Sequence, residues 1–600
     1  MSPVNEVRAM ARKPIKKGTA KAKQAGRKAS KRVPARATKP ATRPSSKSAA
    51  GVDSRWAAKP LTGEWNTAAN WTPAVVATDS AAFAASARTA IGFAAKSAAK
   101  VGELVFAKGA PTYAFTFTAP APAENTPTLE ITGAGIRNDS AQPQHFVIAS
   151  TAIGRTYPQL QFSGTASAGG PDVSYSVGPS TPQGAGGGVL RFVDESTAGS
   201  ASFTVTTGAG TPPKRNSTVG AEVTFSDHAS AGTARFTIYG STSLTDGDTF
   251  GNTVFHDSAI AANAVFSNAG GTVAGGDGGN TQFFDDSSAD NGVFHNYGAT
   301  AANGNGGDVA FDGTATGANG SYHNYRATAA GGHGGVTSFN NNPNKYDAPP
   351  AVKGASAGNG RYYNYGAEES GQGGGHTEFT AKYGPPTAAN GHFYNYGSAV
   401  AGGDSESAAT AGHTTLTVSI PPSGPVYTPT AGRGTFWNLP GTASGAPGGY
   451  TQFAVYTSGD TARKPAAGTK GAKAAAGGPG PTAGDALFIN LGGMTPGARG
   501  GYTSFSGAST AANARLIAAG GVNGGEGGRV AFYEGSSGGA ATVLLFGNGV
   551  LDLADHATSL TIGSLDLAGG TIETSVGTVT TSLVLTTALS IDAARASFRF

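Results

Sequence analysis

From about residue 188 onward the chain repeats one short phrase: a glycine, three residues, then a phenylalanine. It stands at Gly188–Phe192, Gly251–Phe255, Gly279–Phe283, Gly307–Phe311, Gly335–Phe339 and Gly375–Phe379. It returns at Gly449–Phe453, Gly501–Phe505 and Gly528–Phe532, with Gly412–Leu416 as a variant. Phe255, Phe283, Phe311 and Phe339 follow one another at intervals of 28 residues. The middle position is Thr or Val, as at Thr281, Val309 and Thr337. Gly, Thr/Val and Phe therefore fall at i, i+2 and i+4, on one face of a β-strand, and the face with Phe is the inner one.

A second apolar position usually follows 11 residues later, as in Phe192/Phe203, Phe255/Phe266, Phe283/Phe294 and Phe311/Tyr322. A polar turn such as Asp285-Asp286-Ser287-Ser288-Ala289 separates the two. Two residues beyond the second apolar position stands an asparagine: Asn268, Asn296, Asn324, Asn364, Asn395, Asn438 and Asn490. Each unit closes on a glycine cluster, such as 275–279 or 331–335. One unit cannot bury its own Phe side chains, but stacked units close a continuous core. The expectation is an all-β, right-handed parallel β-helix (β-solenoid) with a disordered basic N-terminal tail. Eleven rungs between 188 and 548 would span about 50 Å at about 4.8 Å each. The asparagines read as an internal structural ladder, each amide bonding the rung above.

Composition changes this picture less than it first suggests. Gly (93) and Pro (33) make a fifth of the 600 residues, and charged residues only 13%, a profile close to low complexity. The repeat assigns many of those glycines to corners of a stacked core. With no Cys, a disulfide scaffold, zinc–thiolate sites and a cysteine nucleophile are excluded. No run of about 18 apolar residues predicts a transmembrane segment. Charge divides the chain more sharply. Residues 1–47 hold 15 Lys and Arg against one acid, Glu6, a net +14; the other 553 residues carry a net −9. Residues 8–47 thus offer contact with nucleic acid or another polyanion through counterion release. They carry no aromatic side chains to stack on bases. The predicted organisation is a tail at 1–55, N-terminal rungs at 56–187, repeat rungs at 188–548 and closing strands at 549–600.

Several of these segments resemble bacterial autotransporter-type passenger proteins. Gly63-Glu64-Trp65-Asn66, with Asn70-Trp71 and Asp79-Ser80-Ala81-Ala82-Phe83, resembles their opening. Leu129-Glu130-Ile131-Thr132-Gly133-Ala134-Gly135-Ile136 and Leu560-Thr561-Ile562-Gly563-Ser564-Leu565 resemble their strands. The rungs resemble autotransporter-associated β-strand repeats. The resemblance covers roughly 60–600 and implies a β-helix at the cell surface or outside the cell, associated with the outer membrane. Its motifs are repeat motifs and imply little about activity; the expected role is structural or adhesive, with no cofactor. Two features depart from the pattern: no secretion signal is visible, and no C-terminal barrel of about ten-residue alternating strands follows. The chain reads either as a fragment or as exported or retained by another route.

Functional surfaces are expected in three places. Residues flanking the asparagines alternate outward, as His295, His323, Tyr363, Tyr394 and Trp437 before them and Tyr297, Tyr325, Tyr365 and Tyr396 after them. These predict an exposed aromatic stripe, suited to a glycan or to a host or cell-surface protein, or else a stack that merely stiffens the sheet. Four insertions enlarge one corner, after Phe339, Phe379, Leu416 and Phe453; the longest carries Arg463, Lys464, Lys470 and Lys473. Asp285, Asp286, Asp308 and Asp312 fall in adjacent rungs, but no base recurs beside them. The centres of the glycine clusters, Asp277, Asn305, His333, Gly373 and Glu526, vary too much for a calcium column. No catalytic residue and no metal ligand is therefore assigned. The reading is a non-catalytic surface protein, with a polysaccharide-binding or polysaccharide-degrading β-helix and a polyanion-binding tail as alternatives.

Overall fold

Each Gly-x-Thr-x-Phe phrase folds into a four-residue strand, for instance Asn280–Phe283, Asp308–Phe311 and Val336–Phe339. Each lies parallel to, and in register with, the same phrase one unit later, so Phe255 pairs Phe283 and Phe283 pairs Phe311. We call this stack sheet 1. The second apolar phrase forms sheet 2 in the same way, through strands such as Val265–Asn268, Val293–Asn296 and Ser321–Asn324. Among the described residues, eleven sheet 1 strands begin between 188 and 548, as the repeat predicts. The computed structural model is a parallel β-helix and describes residues 53–119, 126–150, 159–179, 187–207, 221–242, 250–340, 353–381, 384–402, 410–420, 426–457, 479–557, 559–574, 583–591 and 597–599. The basic tail, including residues 8–47, lies outside the described residues.

The core is a pair of phenylalanine stacks. In sheet 1, Phe255, Phe283 and Phe311 lie face to face at 4.6 and 4.8 Å. In sheet 2, Phe266, Phe294 and Tyr322 do the same at 4.9 and 5.0 Å. The two stacks meet edge to face, Phe255 on Phe266 at 5.9 Å and 76°. Each stacked pair adds about 0.5–1.5 kcal/mol beyond area burial, and the geometry recurs rung after rung. A third column joins them at the corner between the sheets. There the backbones of Ser or Thr residues at single bridging positions, among them Ser288, Thr316 and Ser356, pair rung to rung. Each side chain accepts the N–H two residues on, as Ser288 does from Asp290 at 3.0 Å, which turns the chain toward sheet 2.

The asparagines form a buried ladder. Asn268 Nδ2 donates to Asn296 Oδ1 at 2.9 Å, and the chain of bonds continues through Asn324, Asn364, Asn395 and Asn438 to Asn490 at 2.7–2.8 Å. From Thr281 to Thr503 the threonine of each Gly-x-Thr-x-Phe phrase donates its hydroxyl to an asparagine Oδ1, Thr377 to Asn364 at 3.1 Å and Thr451 to Asn438 at 3.1 Å. That bond explains why the middle inward position is Thr in most rungs. The ladder stops where its column changes to Ile238 at one end and Ala518 at the other. Thr253 Oγ1 and Asn490 Nδ2, the groups that would face the missing members, are left buried without a partner.

The opening segment forms an aromatic plug. Trp56, Trp65, Trp71 and Phe83 are buried. Trp71 stands edge-on to Trp56 at 5.2 Å and to Trp65 at 4.9 Å. Asn70, wholly buried, accepts from the Thr62 N–H at 2.8 Å and donates to Thr62 Oγ1 and to the Glu64 carbonyl at 2.8 and 2.7 Å. The strands Ser54–Trp56 and Trp71–Thr72 pair antiparallel, against the parallel pairing of the rungs.

Candidate functional site

The outward residues of sheet 2 form two ring columns. His295, His323, Tyr363 and Tyr394 stack in succession at 5.1, 4.7 and 5.0 Å. Trp437 follows Tyr394 in register. Tyr297, Tyr325, Tyr365 and Tyr396 stack beside them at 5.0, 5.0 and 5.1 Å. His295 Nδ1 lies 3.1 Å from the Tyr325 hydroxyl, and His323 Nδ1 lies 3.1 Å from that of Tyr365. Burial pushes His323 down to about 4, with His295 adding to the effect. Burial likewise pushes Tyr365 up to about 12, with Tyr325, Tyr396 and Tyr363 contributing. At neutral pH the tyrosine is then the donor and the imidazole the acceptor. Ring faces inside the columns are covered by the rings above and below. What the stripe presents outward is ring edges and hydroxyls at a repeat of about 5 Å, with an open face at the column end, where Tyr297 is 44% exposed.

The outward face of sheet 1 holds what the sequence reading did not assign. Its two outward positions in each phrase carry Asn280, Asp308, His376 and Glu378, on the floor of a groove of about 590 Å³. Asp277, Asn305 and His333, the varying centres of the glycine clusters, form the wall. Backbone bonds tie this wall to the neighbouring turns, Gly271 N–H to Asn305 O and Ala299 N–H to His333 O, at 2.8 and 2.9 Å. Burial raises Asp308 to about 8, and the charges of Glu378 and then Asp312 push the same way. It therefore keeps its proton through most of the neutral range. Ser338 and the Val309 N–H favour the charged form of Asp308 and partly offset that rise, while Asn280 Oδ1 is shut off from solvent with no hydrogen-bond partner.

Further along sheet 1 the floor becomes a column of rings, His376, His413, Tyr450 and Tyr502, stacked at 4.7–4.9 Å and within 10° of parallel. Beyond it a second hollow of about 370 Å³ opens, lined by Arg499, Glu526, Arg529 and Glu573. There Arg529 is held by Asp552 at 2.6 Å and Glu573 at 3.3 Å.

No family model, no curated protein and no solved structure matches the chain.

The structure separates the acids grouped by sequence. Asp285 has φ 57° and sits in a turn. Its Oδ2 accepts the Asp257 N–H at 3.2 Å, one step in a stair that includes Asp194 and Asp227. Asp286 accepts from the Thr314 hydroxyl. Asp308 alone of the four lines the groove, while Asp312 is buried behind it. Three of the four corner insertions follow lengthened strands, His376–Ala381, His413–Ile420 and Tyr450–Thr457, which pair beyond their core residues; the strand before the other, Val336–Phe339, keeps four residues. Arg463, Lys464, Lys470 and Lys473 lie outside the described residues. Among the described residues no trio of His, Cys, Asp or Glu is placed to hold a metal ion, and no helix is long and apolar enough to cross a membrane. The groove had one signal in sequence. The inward positions of Gly-x-Thr-x-Phe repeat, whereas the outward ones run Asn, Asp, Val, His, His, Tyr, Tyr, Arg from 280 to 529. Variation beside a constant frame marks the surface that is free to specialise.

Proposed function

We propose that the protein is a non-catalytic, surface-exposed adhesive rod of the autotransporter-passenger type. It meets an extended glycan along the His/Tyr stripe of sheet 2. The observation that carries this reading is the double column itself. Nine outward aromatic residues follow the rod over five consecutive rungs, from His295 to Trp437. A polymer lying along the axis meets ring edges and hydroxyls at the repeat of the rungs, and stacks on an open ring face at the column end. The resemblance of the opening and rung motifs supports the surface location. A glycan array probed with the full chain and with a Tyr297/Tyr325/Tyr365/Tyr396→Ala variant tests the reading. Binding by the wild type and its loss in the variant is the expected result. Equal signals, or binding of cell-surface proteins but no glycan, would count against it.

A second reading rests on charge. The net +14 of residues 1–47 makes them a polyanion-binding arm. Deleting residues 1–50 then abolishes salt-sensitive binding to duplex DNA or heparin, and unchanged binding would exclude the arm.

A further inference from the structure

The groove on sheet 1 lies on a different sheet from the stripe and shares no residue with it. Its floor crosses successive rungs at Asn280, Asp308, Val336 and His376, a length of about 15 Å. We propose that this groove is a second binding site, and that its ligand is a neutral oligosaccharide chain lying along the rungs.

Three observations select that chemistry. First, the groove offers an acceptor in need of a donor. Asn280 is only 9% exposed, lines the groove, and has an Oδ1 with no partner. A buried acceptor left unpaired costs about 1–3 kcal/mol, and a turn of the Asn280 side chain that brings Oδ1 to a ligand hydroxyl on the groove floor removes that cost. Second, the field is negative. Glu378 and Asp312 act on Asp308 strongly enough to help hold its proton, so a uronate or sulfated chain is repelled. Asp308 in its protonated form donates as well as accepts, which matches hydroxyls that do both. Third, a peptide has little to hold. Phe250 and Val336 are the main apolar members of the lining. The sheet 1 strands beneath are paired on both sides, so no edge is open for an added strand. A bare cation lacks its trio of ligands there. His333 on the wall and His376 on the floor supply ring surfaces for sugar C–H faces.

Isothermal titration of the full chain with neutral β-1,4-glucan, β-1,3-glucan, mannan and xylan hexasaccharides tests the proposal. A hexagalacturonate and calcium chloride alone complete the set. At least one neutral hexasaccharide is expected to bind with Kd below about 1 mM, and the hexagalacturonate at least tenfold more weakly. Asn280→Leu removes the buried acceptor and fills the groove. Asn305→Trp obstructs it from an exposed wall position, where folding is not at stake. Both should weaken binding at least tenfold, while the Tyr297/Tyr325/Tyr365/Tyr396→Ala variant binds as the wild type does. The proposal fails if no neutral hexasaccharide binds, or if Asn305→Trp binds unchanged. It also fails if the anionic chain is preferred or calcium alone binds in the groove. Loss in the tyrosine variant but not in Asn305→Trp would move the sugar to the stripe and leave the groove without a ligand.

Discussion

Asn364 shows how one buried amide holds several rungs. It accepts from Asn324 and Thr377 and donates to Asn395 and to the His413 carbonyl. An apolar residue there strands an amide hydrogen and a hydroxyl inside the core. Each costs about 1–3 kcal/mol, so Asn364→Leu should destabilise its neighbourhood by about 3–5 kcal/mol. Asn268 stands at the end of the ladder, beside Ile238, and receives only from Thr281. Asn268→Leu should cost a similar amount, because it strands the Thr281 hydroxyl and leaves Asn296 Oδ1, whose own phrase carries Val309 in place of Thr, without a donor. Urea midpoints for the two variants check this, and a loss below about 1 kcal/mol at either would show that the ladder does not act through its shared bonds. Two titratable side chains make opposite predictions with pH. His323 has an ordinary value of 6.5 and is held near 4. The unfolded chain takes up that proton first, so stability falls as pH drops from about 6.5 to 4. Asp308 has an ordinary value of 3.8 and is held near 8. The folded chain keeps that proton longer, so stability falls as pH rises from about 4 to 8. His323→Phe should flatten the acid limb of a melting-temperature profile and Asp308→Asn the alkaline one. A variant that leaves its own limb unchanged would refute the corresponding assignment.

At the scale of the strand and its turn, two kinds of glycine do different work. The glycine that opens each Gly-x-Thr-x-Phe phrase faces a backbone carbonyl across the rung. A Cβ on Gly335 would lie 1.9 Å from Asn296 O. Gly331, four residues earlier, has φ 75°, but a Cβ there would make only ordinary contact, 3.7 Å from the Ala302 Cβ. Gly335→Ala must push the rung apart and should lower the melting temperature several times more than Gly331→Ala. The latter pays only for an alanine in the left-handed region, about 1 kcal/mol. Comparable shifts would mean that conformation, not close approach, selects both. The spacing of Gly, Thr, Phe and Asn was enough to read the strands, their inner face and the ladder, because each of those residues repeats for one reason in every rung. The groove was not legible in the same way. Asn280, Asp308 and His376 hold one position of the phrase but share no residue type, and only the fold stacks them, with Asp277 and Asn305, along one face. The orientation of the stripe was also beyond a parity argument. Alternation places Tyr325 and Tyr365 outward, but the rung spacing is what turns their faces onto each other.

For the molecule as a whole, a stack of parallel rungs leaves an unpaired strand at each end, an invitation to further pairing. At the N-terminal end the antiparallel pair Ser54–Trp56 and Trp71–Thr72 and the tryptophan plug close the stack. Trp71 is 2% exposed and donates its indole N–H to the Trp65 carbonyl at 2.8 Å. Trp71→Ala removes a ring that touches Trp56, Trp65 and Phe83 and should cost about 3–5 kcal/mol. Rungs in a solenoid couple mainly to their nearest neighbours, so the loss should stay local. Hydrogen exchange should quicken across residues 54–106, while the amides of 280–340 keep their protection. The freed edge of Ser80–Phe83, which normally lies between the opening strand and Ala98–Phe106, then becomes a template for a second copy. Light scattering should rise with protein concentration in the variant and stay flat in the wild type. Uniform loss of protection along the chain would mean that the rungs unfold as one cooperative block, and a monodisperse variant would mean that the plug is not what keeps the end closed.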